Sequence, residues 1–582
     1  MTESLDPNAT QLARLIISES FGEVAETVAK VLMDNGQSRL DEIVRDAQMK
    51  PSLVKQALIV LIQHNLVEPV LYEEEAHLRK IRYTLYKASM PHILNILRIP
   101  RFLLRIQSEH GSVAEVLMST LFSIGRCNHT KLVDATIHKI KEQAEAIKAE
   151  QEAAAGDDDG MDVDGKTQDR VVPPTVPERA EVARLLVRLV RERFLERVPP
   201  CLLPPSTRDP HQNAQTNKRA RTTLAGAAVA PDERKQELSQ YARERFQILH
   251  EMHEEAGGLE PDVEAKRKAA LENLARESGG PRRPLEVLWR PNVEELNRRM
   301  RHDICVELVR QKIGTAAAGA LRAMLVHLRT HESELRQMRS TAIAFTDVVT
   351  SAKRLSEAEG GADRGDAVAA PTSSTELNQA LHALCEHTME AVEEVGEGPG
   401  GTQYVVNHVR IMEWVQLREA EALVLARFGQ HGLRIVRMLM MRQSNMEQKQ
   451  IADAAMIRPK EANEVLYSMM RAGWVQLLDV AKTTERQPRS SLYVWEVDFL
   501  KLCHRIGSEL YRTAVNLLRR LNAEKERAAD VIATVQRVQE EGANITWTAG
   551  LRQRILRFSN VRNTLETSLM QLDEQIAIFN DY

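Results

Sequence analysis

The sequence predicts a mainly α protein with small β-hairpins, built as four tandem, extended winged-helix domains followed by a C-terminal antiparallel coiled-coil hairpin. Three observations predict it. Residues 43–67 align without a gap with residues 451–475, 408 positions further on. Aromatic residues make up only 4% of the 582, while Leu, Ala, Met, Arg and Glu abound, a composition that favours helices. From Leu510 onward, apolar residues recur at the 4-3 spacing of a coiled coil.

In each copy of the repeat a short amphipathic stretch, DEIVRDAQ or QKQIADAA, runs into Met49-Lys50-Pro51 or Ile457-Arg458-Pro459. Pro51 and Pro459 suit the first turn of a helix, where a backbone N–H has no intrahelical partner to lose. Apolar residues then follow at helical spacing, Val54, Leu58, Leu61 and Ile62 in one copy and Ala462, Leu466, Met469 and Met470 in the other. β-prone runs come next, LVEPVLY with IRYTLY and WVQLLDV with LYVWEV. Two helices joined by a tight turn and closed by a hairpin make a winged helix.

The first winged helix spans 1–90, opening with LARLIIS and VAETVAKVLMDN. The second, 91–203, has helical patterns from His92 to Gln107 and from Val113 to Ile124, Thr130 as the N-cap of LVDATIHKIKEQ, and a third helix over 182–198. In that third helix Leu186, Val190, Phe194 and Leu195 echo Leu58, Ile62, Leu66 and Val67, with Pro177 two places out of register. An acidic insertion at about 148–174 is too charged and too poor in apolar residues to fold.

A flexible linker, 204–236, carries a basic knot at Lys218, Arg219 and Arg221, and helix resumes near Glu237. The third winged helix, 237–418, contains a helix ending at Gly314 as its C-cap, then AAAGALRAMLVHLRTH, an insertion at about 356–374, the helix LNQALHALCEHTMEAV, and a glycine-rich tip feeding a strand. The fourth spans 419–499. In 500–582 the heptad pattern breaks at Glu524 and Arg562 on either side of a turn-like segment, which predicts an antiparallel hairpin in which these two residues pair.

Composition bounds the function. A chain of this length holds several domains. A net charge of −4 excludes a polycation, so nucleic-acid contact has to be local. Five scattered cysteines with no CxxC pair argue against a disulfide framework, and the absence of a signal core or long apolar run points to a soluble, intracellular protein.

Two motifs mislead. GMDVDGKT, residues 160–167, matches the phosphate-binding loop GxxxxGK[ST]. No strand precedes it, and Asp157, Asp158, Asp159, Asp162 and Asp164 would repel a triphosphate. His327 and His331 have the spacing of a zinc-finger tail without its cysteine pair, and Leu328 stands where a zincin needs Glu, so both are read as residues of a polar helix face. No catalytic constellation, cofactor or metal site is legible, and the prediction is a non-enzyme.

The helices that would read DNA are mixed. The first offers Lys50, Lys55, Gln56, Gln63 and His64; the fourth sets Arg458, Lys460 and Arg471 beside Glu461 and Glu464. A base reader needs a basic surround for phosphates, so winged helices used mainly as protein-docking blocks are expected. The DNA-contact candidates, through the phosphate backbone, are Lys50, Lys55, Arg458 and Lys460 on the helices and Arg79, Lys80, Arg82, Lys482, Arg486 and Arg489 on the wings.

The segment YVVNHVRIMEWVQLREAEALVLARFGQHGLRIVRML, followed by EQKQIADAAMIRPKEANEVLYSMM and LYVWEV, resembles the C-terminal half of the third-largest subunit of eukaryotic RNA polymerase III. FGEVAETVAKVLMDNGQSRLDEIVRDAQ and WRPNVEELNRRMRHDICVELV resemble the first and third modules of the same family, which is distantly similar to the α subunit of the general factor TFIIE. The resemblance implies a nuclear, non-catalytic subunit. Its implied partners are two subunits of a polymerase III subcomplex, the polymerase clamp and promoter DNA, with roles in recruitment and DNA opening and no membrane or small-molecule substrate. A free-standing winged-helix regulator, which would need a dominant basic face and self-dimerisation, is the alternative.

Overall fold

The computed structural model describes residues 6–582 except 77–78, 156–175, 200–240, 242–243, 250–251, 253–254, 256–286, 330, 333–334, 360–370, 372, 399, 443–444, 482–490 and 542–548. The chain divides into two compact units, residues 13–295 and residues 296–582 with 1–12.

In the unit 13–295 the first module runs helix Glu23–Asn35, strand Ser38–Arg39, helix Leu40–Ala47, helix Pro51–Gln63 and the hairpin Val67–Ala76 with Arg79–Ala88. The last strand is central, paired from Val67↔Ala88 to Ala76↔Arg79 on one side and with Ser38–Arg39 on the other. Local chemistry sets each boundary. The Glu42 carboxylate accepts the Arg39 N–H at 2.8 Å, satisfying an amide that helix geometry leaves open. Gln48, in the left-handed conformation at φ 53°, ends that helix, and Pro51 starts the next. Asn65 at φ 63° then reverses the chain, and the Leu66 N–H returns to the Leu61 carbonyl at 2.9 Å. Val54, Leu58 and Leu61 are buried on the inner face of Pro51–Gln63, each side chain stabilising the module by roughly 1.5–3 kcal/mol.

The second module repeats this reversal. Helix Arg179–Arg191 ends before Arg193 at φ 66°, and the Phe194 N–H bonds the Leu189 carbonyl at 2.9 Å. Buried Val182, Leu186 and Leu189 stand at the positions of Val54, Leu58 and Leu61. The helix expected over 182–198 therefore stops at Arg191, and Leu195–Arg197 is a strand. That strand pairs with Trp289–Pro291, and Trp289 in turn bridges to Cys127. The sheet thus begins before residue 203 and closes after residue 288, so the boundary expected at 203 falls inside the module. Glu196 and Arg290, opposite each other in the ladder, form an ion pair at 2.7 Å with the carboxylate buried. Helix His129–Ala155 starts before Thr130, placing that residue within the first turn, and extends into the stretch expected to be an acidic insertion.

In the other unit, the third module runs Thr315–Leu328, Ile343–Ala344, Phe345–Glu359, Ser374–Glu386, Val392–Gly398 and Gly401–Val406, with the last strand central. Its reversal sits at Glu390, φ 50°. The helix expected to continue through MEAV ends at Glu386, because this reversal commits Val392 to a strand. Gly314, expected as a C-cap, closes Val293–Lys312 with its N–H on the Val309 carbonyl at 3.2 Å, and at φ 136° it is also the N-cap of Thr315–Leu328. That helix stops at Leu328, so His331 lies beyond it and the expected polar helix face does not include it.

The fourth module reproduces the first, 408 positions on. Helix His408–Arg442, bent at Gly429, leads to Met446–Glu447, Gln448–Ala455, Pro459–Ala472, Gln476–Ala481 and Ser491–Glu496. Met456 at φ 54° matches Gln48, and Gly473 at φ 79° matches Asn65. Trp474 N–H bonds the Met469 carbonyl at 2.9 Å, and Ile451, Ala462, Leu466 and Met469 are buried.

The C-terminal helices Phe499–Arg527 and Ala549–Ile576 run antiparallel. Asp530 pairs with Arg554 at 2.7 Å at one end, and Gly507 lies against Asn580 at the other. A Cβ at Gly507 would stand 2.7 Å from Asn580 Oδ1, so a larger residue there would displace the Asn580 side chain. Leu510, Ala514, Leu521, Leu569 and Ile576 are buried along the seam. The expected Glu524–Arg562 pair is not formed. Glu524 accepts from Arg527 at 2.9 Å and Arg562 donates to Glu566 at 2.8 Å, because a partner three or four residues away on the same helix is already in reach.

Residues 160–167, 218–221 and 204–236 lie outside the described residues. Among the described residues no helix is long and apolar enough to cross a membrane.

Candidate docking and nucleic-acid interface

The outward face of Pro51–Gln63 is apolar as much as charged. Leu53, Ile59 and Val60 are exposed there, Ile59 at 65%, beside Lys55 and Gln56. Lys50, the N-cap residue, is exposed as well. In the fourth module Arg458 is 87% exposed with Glu461 at 3.9 Å, Lys460 is exposed, and the turn before them presents Met456. All four helix-borne cations reach solvent, but in company that suits protein contact better than a phosphate ridge.

Two residues that looked like base readers have another task. Gln63 Nε2 donates to the carbonyls of Ile124 and Arg126 at 3.0 and 2.6 Å, Arg126 Nε donates to Asn65 Oδ1 at 2.8 Å, and the His64 ring packs 4.8 Å from Phe21. The C-terminal end of this helix therefore holds the second module. A cavity of about 280 Å³ lies beside the contact, lined in part by Phe21, His64, Ile96, Ile99 and Phe122. Its polar groups are engaged within the fold, His92 Nδ1 with Ser89 Oγ at 2.8 Å and Asn95 Oδ1 with Arg98 at 3.1 Å. Burial first, then the charges of Arg290 and Arg126, push His92 down to about 4.

The first wing is balanced in charge. Its register sets Arg82 across from Glu73 and Lys80 across from Glu75, with Arg79 next to the tip. Lys482, Arg486 and Arg489 lie outside the described residues.

A dense charge cluster is buried in the third module. Glu332 accepts from Arg301 Nη2 at 2.8 Å, with Arg298 Nε at 3.2 Å, and His302 and His408 lie 3.3 and 3.1 Å from its other oxygen. All five side chains are at most 5% exposed. Burial pushes the Glu332 carboxyl up, but the two imidazoles more than offset this and hold it well below the usual carboxylate range. Burial drives His302 down to about 3, so the ring is neutral. Arg301 also donates to the Leu335 carbonyl, fixing the segment that follows Thr315–Leu328. Sequence reasoning missed this network. Its signal was the run RRMRHD, in which Arg298, Arg299, Arg301 and His302 are all buried.

The repeated modules coincide with known families. A family model described as the RNA polymerase III subunit RPC82 helix-turn-helix domain matches residues 11–71, one described as RNA polymerase III subunit RPC82 matches 184–415, and one described as the POLR3C C-terminal winged-helix domain matches 420–497. The chain belongs to the RPC82 family of RNA polymerase III subunits. Its relatives include the DNA-directed RNA polymerase III subunit RPC3 of Rattus norvegicus and of Homo sapiens, each 25% identical over 98% of this chain and 97% of the relative. A fungal relative from Coccidioides immitis is 20% identical over 99% of both chains. The RPC82 match at 184–415 takes in RRMRHD, Glu332 and His408, so the buried network lies inside a family segment. The winged-helix match at 420–497 ends next to the strand Ser491–Glu496, at the close of the fourth module.

Proposed function

We propose that this chain is a non-catalytic, nuclear subunit of RNA polymerase III. It scaffolds a three-subunit initiation subcomplex on the polymerase clamp and assists promoter recruitment and DNA opening. The observation that carries this reading is similarity to chains named RNA polymerase III subunit RPC3, covering 98% of the sequence. The module count favours a scaffold. The left-handed reversal before the first wing strand recurs at Asn65, Arg193, Glu390 and Gly473, and we read this as four winged helices in tandem with a helical hairpin behind them.

Several rigid modules, each offering an apolar helix face such as Leu53, Ile59 and Val60, bind a large partner through many modest contacts acting together. Lys50, Lys55, Arg458 and Lys460, with the wing cations, then add salt-dependent phosphate contacts to promoter DNA. Affinity purification of the tagged chain with identification of co-eluting proteins tests the reading. Polymerase III subunits are expected in stoichiometric yield, and a homodimer that binds duplex DNA without them would overturn it.

A further inference from the structure

In the second module, Glu109 and His110 end the helix Ile99–His110, and Glu192 caps the helix Arg179–Arg191. The two helix ends meet so that one oxygen of each glutamate faces the same imidazole nitrogen. Glu192 Oε2 lies 3.1 Å and Glu109 Oε2 3.9 Å from His110 Nε2, and the three atoms fall within 4.8 Å of one another. The opposite oxygens are held by arginines. Glu109 Oε1 accepts from Arg105 at 3.0 Å, and Glu192 Oε1 accepts from Arg188 at 3.1 Å.

His110 is the decisive residue. Its side chain is 3% exposed, its ring packs edge-on to Phe194 at 5.3 Å, and neither ring nitrogen has a hydrogen-bond partner, the approach of Glu192 being out of alignment for one. Buried imidazoles are ordinarily hydrogen-bonded or coordinated to a metal. A ring wedged between two carboxylates whose far oxygens are already oriented has the outer-shell arrangement of a ligand set.

We propose that Glu109, His110 and Glu192 bind a divalent transition metal, Zn2+ foremost, which fastens the end of one helix to the end of the other. One imidazole nitrogen with two carboxylate oxygens suits Zn2+ and disfavours Mg2+ and Ca2+, which take oxygen donors. Zinc bonds of about 2.0–2.1 Å at tetrahedral angles separate ligand atoms by roughly 3.3 Å, between the two distances found here. The burial of His110 fits a fastening role. Glu192 immediately precedes the reversal at Arg193, so the metal braces the point where the helix gives way to the strand Leu195–Arg197.

The test uses the full chain, stripped with a chelator and titrated with Zn2+ by calorimetry, with Co2+ as a spectroscopic probe. About one equivalent is expected to bind, to raise the melting temperature, and to give visible bands with Co2+. His110→Gln and Glu192→Gln should each lower Zn2+ affinity at least tenfold, and Arg188→Ala, which frees the outer oxygen, by about tenfold. His331→Ala is the control, because the His327 and His331 rings, 5.5 Å apart, are the competing place for a metal. It should leave uptake unchanged. Circular dichroism in EDTA confirms that the variants fold, and Glu192→Gln carries the comparison if His110→Gln does not. Absence of uptake by the parent chain, or uptake lost in His331→Ala but kept in the folded Glu192→Gln variant, overturns the proposal.

Discussion

Glu332→Gln keeps the shape of the side chain and removes its charge. Two guanidiniums that the carboxylate now compensates, Arg298 and Arg301, are 5% and 1% exposed, too deep for water to replace the lost partner. Breaking a buried pair from one side costs about 3–5 kcal/mol, since the remaining charge stays buried and uncompensated. At about 1.4 kcal/mol per tenfold, local opening should become roughly two to three and a half powers of ten more frequent. Hydrogen exchange of peptides from Val293–Lys312 and the segment around Glu332 reads this directly, and it avoids assigning one unfolding free energy to a chain of several modules. The triple change Arg298→Met, Arg301→Met, Glu332→Leu should restore most of the protection, because apolar replacement of a whole buried network is often neutral. An acceleration below tenfold, or one equally large in Glu23–Asn35, would refute the claim that Glu332 is a local clamp.

Gly125→Ala places a Cβ 2.2 Å from the Gln63 carbonyl oxygen at φ +85°, so it should destabilise the contact between the first two modules by about 2 kcal/mol or more, visible as faster exchange in 63–66 and 124–127. His92, held near 4, has a folded pKa below its unfolded value of about 6.5, so its contribution is complete above pH 6.5 and is lost as the pH falls towards 4. That contribution is on the order of 3 kcal/mol, and His92→Gln should flatten the acid dependence of exchange, corrected for intrinsic rates, over Met90–Leu94. Replacing Arg79, Lys80 and Arg82, or Lys482, Arg486 and Arg489, with Glu should weaken duplex binding and lower its salt slope while leaving subunit assembly intact; loss of assembly with DNA binding unchanged would mark the wings as docking surfaces.

The helix–turn–helix–hairpin phrase was legible because its signals are local. Proline at the first helical position and apolar residues at 3.6-residue spacing act within a dozen residues, and they placed Pro51–Gln63 and Pro459–Ala472 almost to the residue. The second and third modules were blurred because the chain reversal that ends the helix is not written in one residue type. Asn65, Arg193, Glu390 and Gly473 all take φ between 50° and 79° there, yet only the last is glycine. A helical pattern running through an arginine or a glutamate gives no reason to stop, so 182–198 and 377–392 looked continuous. The partner of Leu195–Arg197 was illegible for a different reason: it lies nearly a hundred residues on, and strand pairing at that separation leaves no periodic trace.

The setting of the candidate interface bears on function. Exposure was right for Lys50, Lys55, Arg458 and Lys460, because a charge next to a helix start has nowhere else to go. Gln63 and His64, offered by the same helix, turn to the neighbouring module, because an amide at a helix end meets open backbone carbonyls there before it meets a base. The helix that a sequence-specific reader would keep free is thus committed at one end to its neighbour and covered by Leu53, Ile59 and Val60 along the rest. Removing those three side chains from water on a partner is worth several kcal/mol at roughly 25 cal/mol per Å², whereas each phosphate contact fades with salt. On the proposed function the apolar contribution outweighs the phosphate contacts at physiological ionic strength, and the first module would act as a docking block whose cations tune, rather than supply, any contact with DNA.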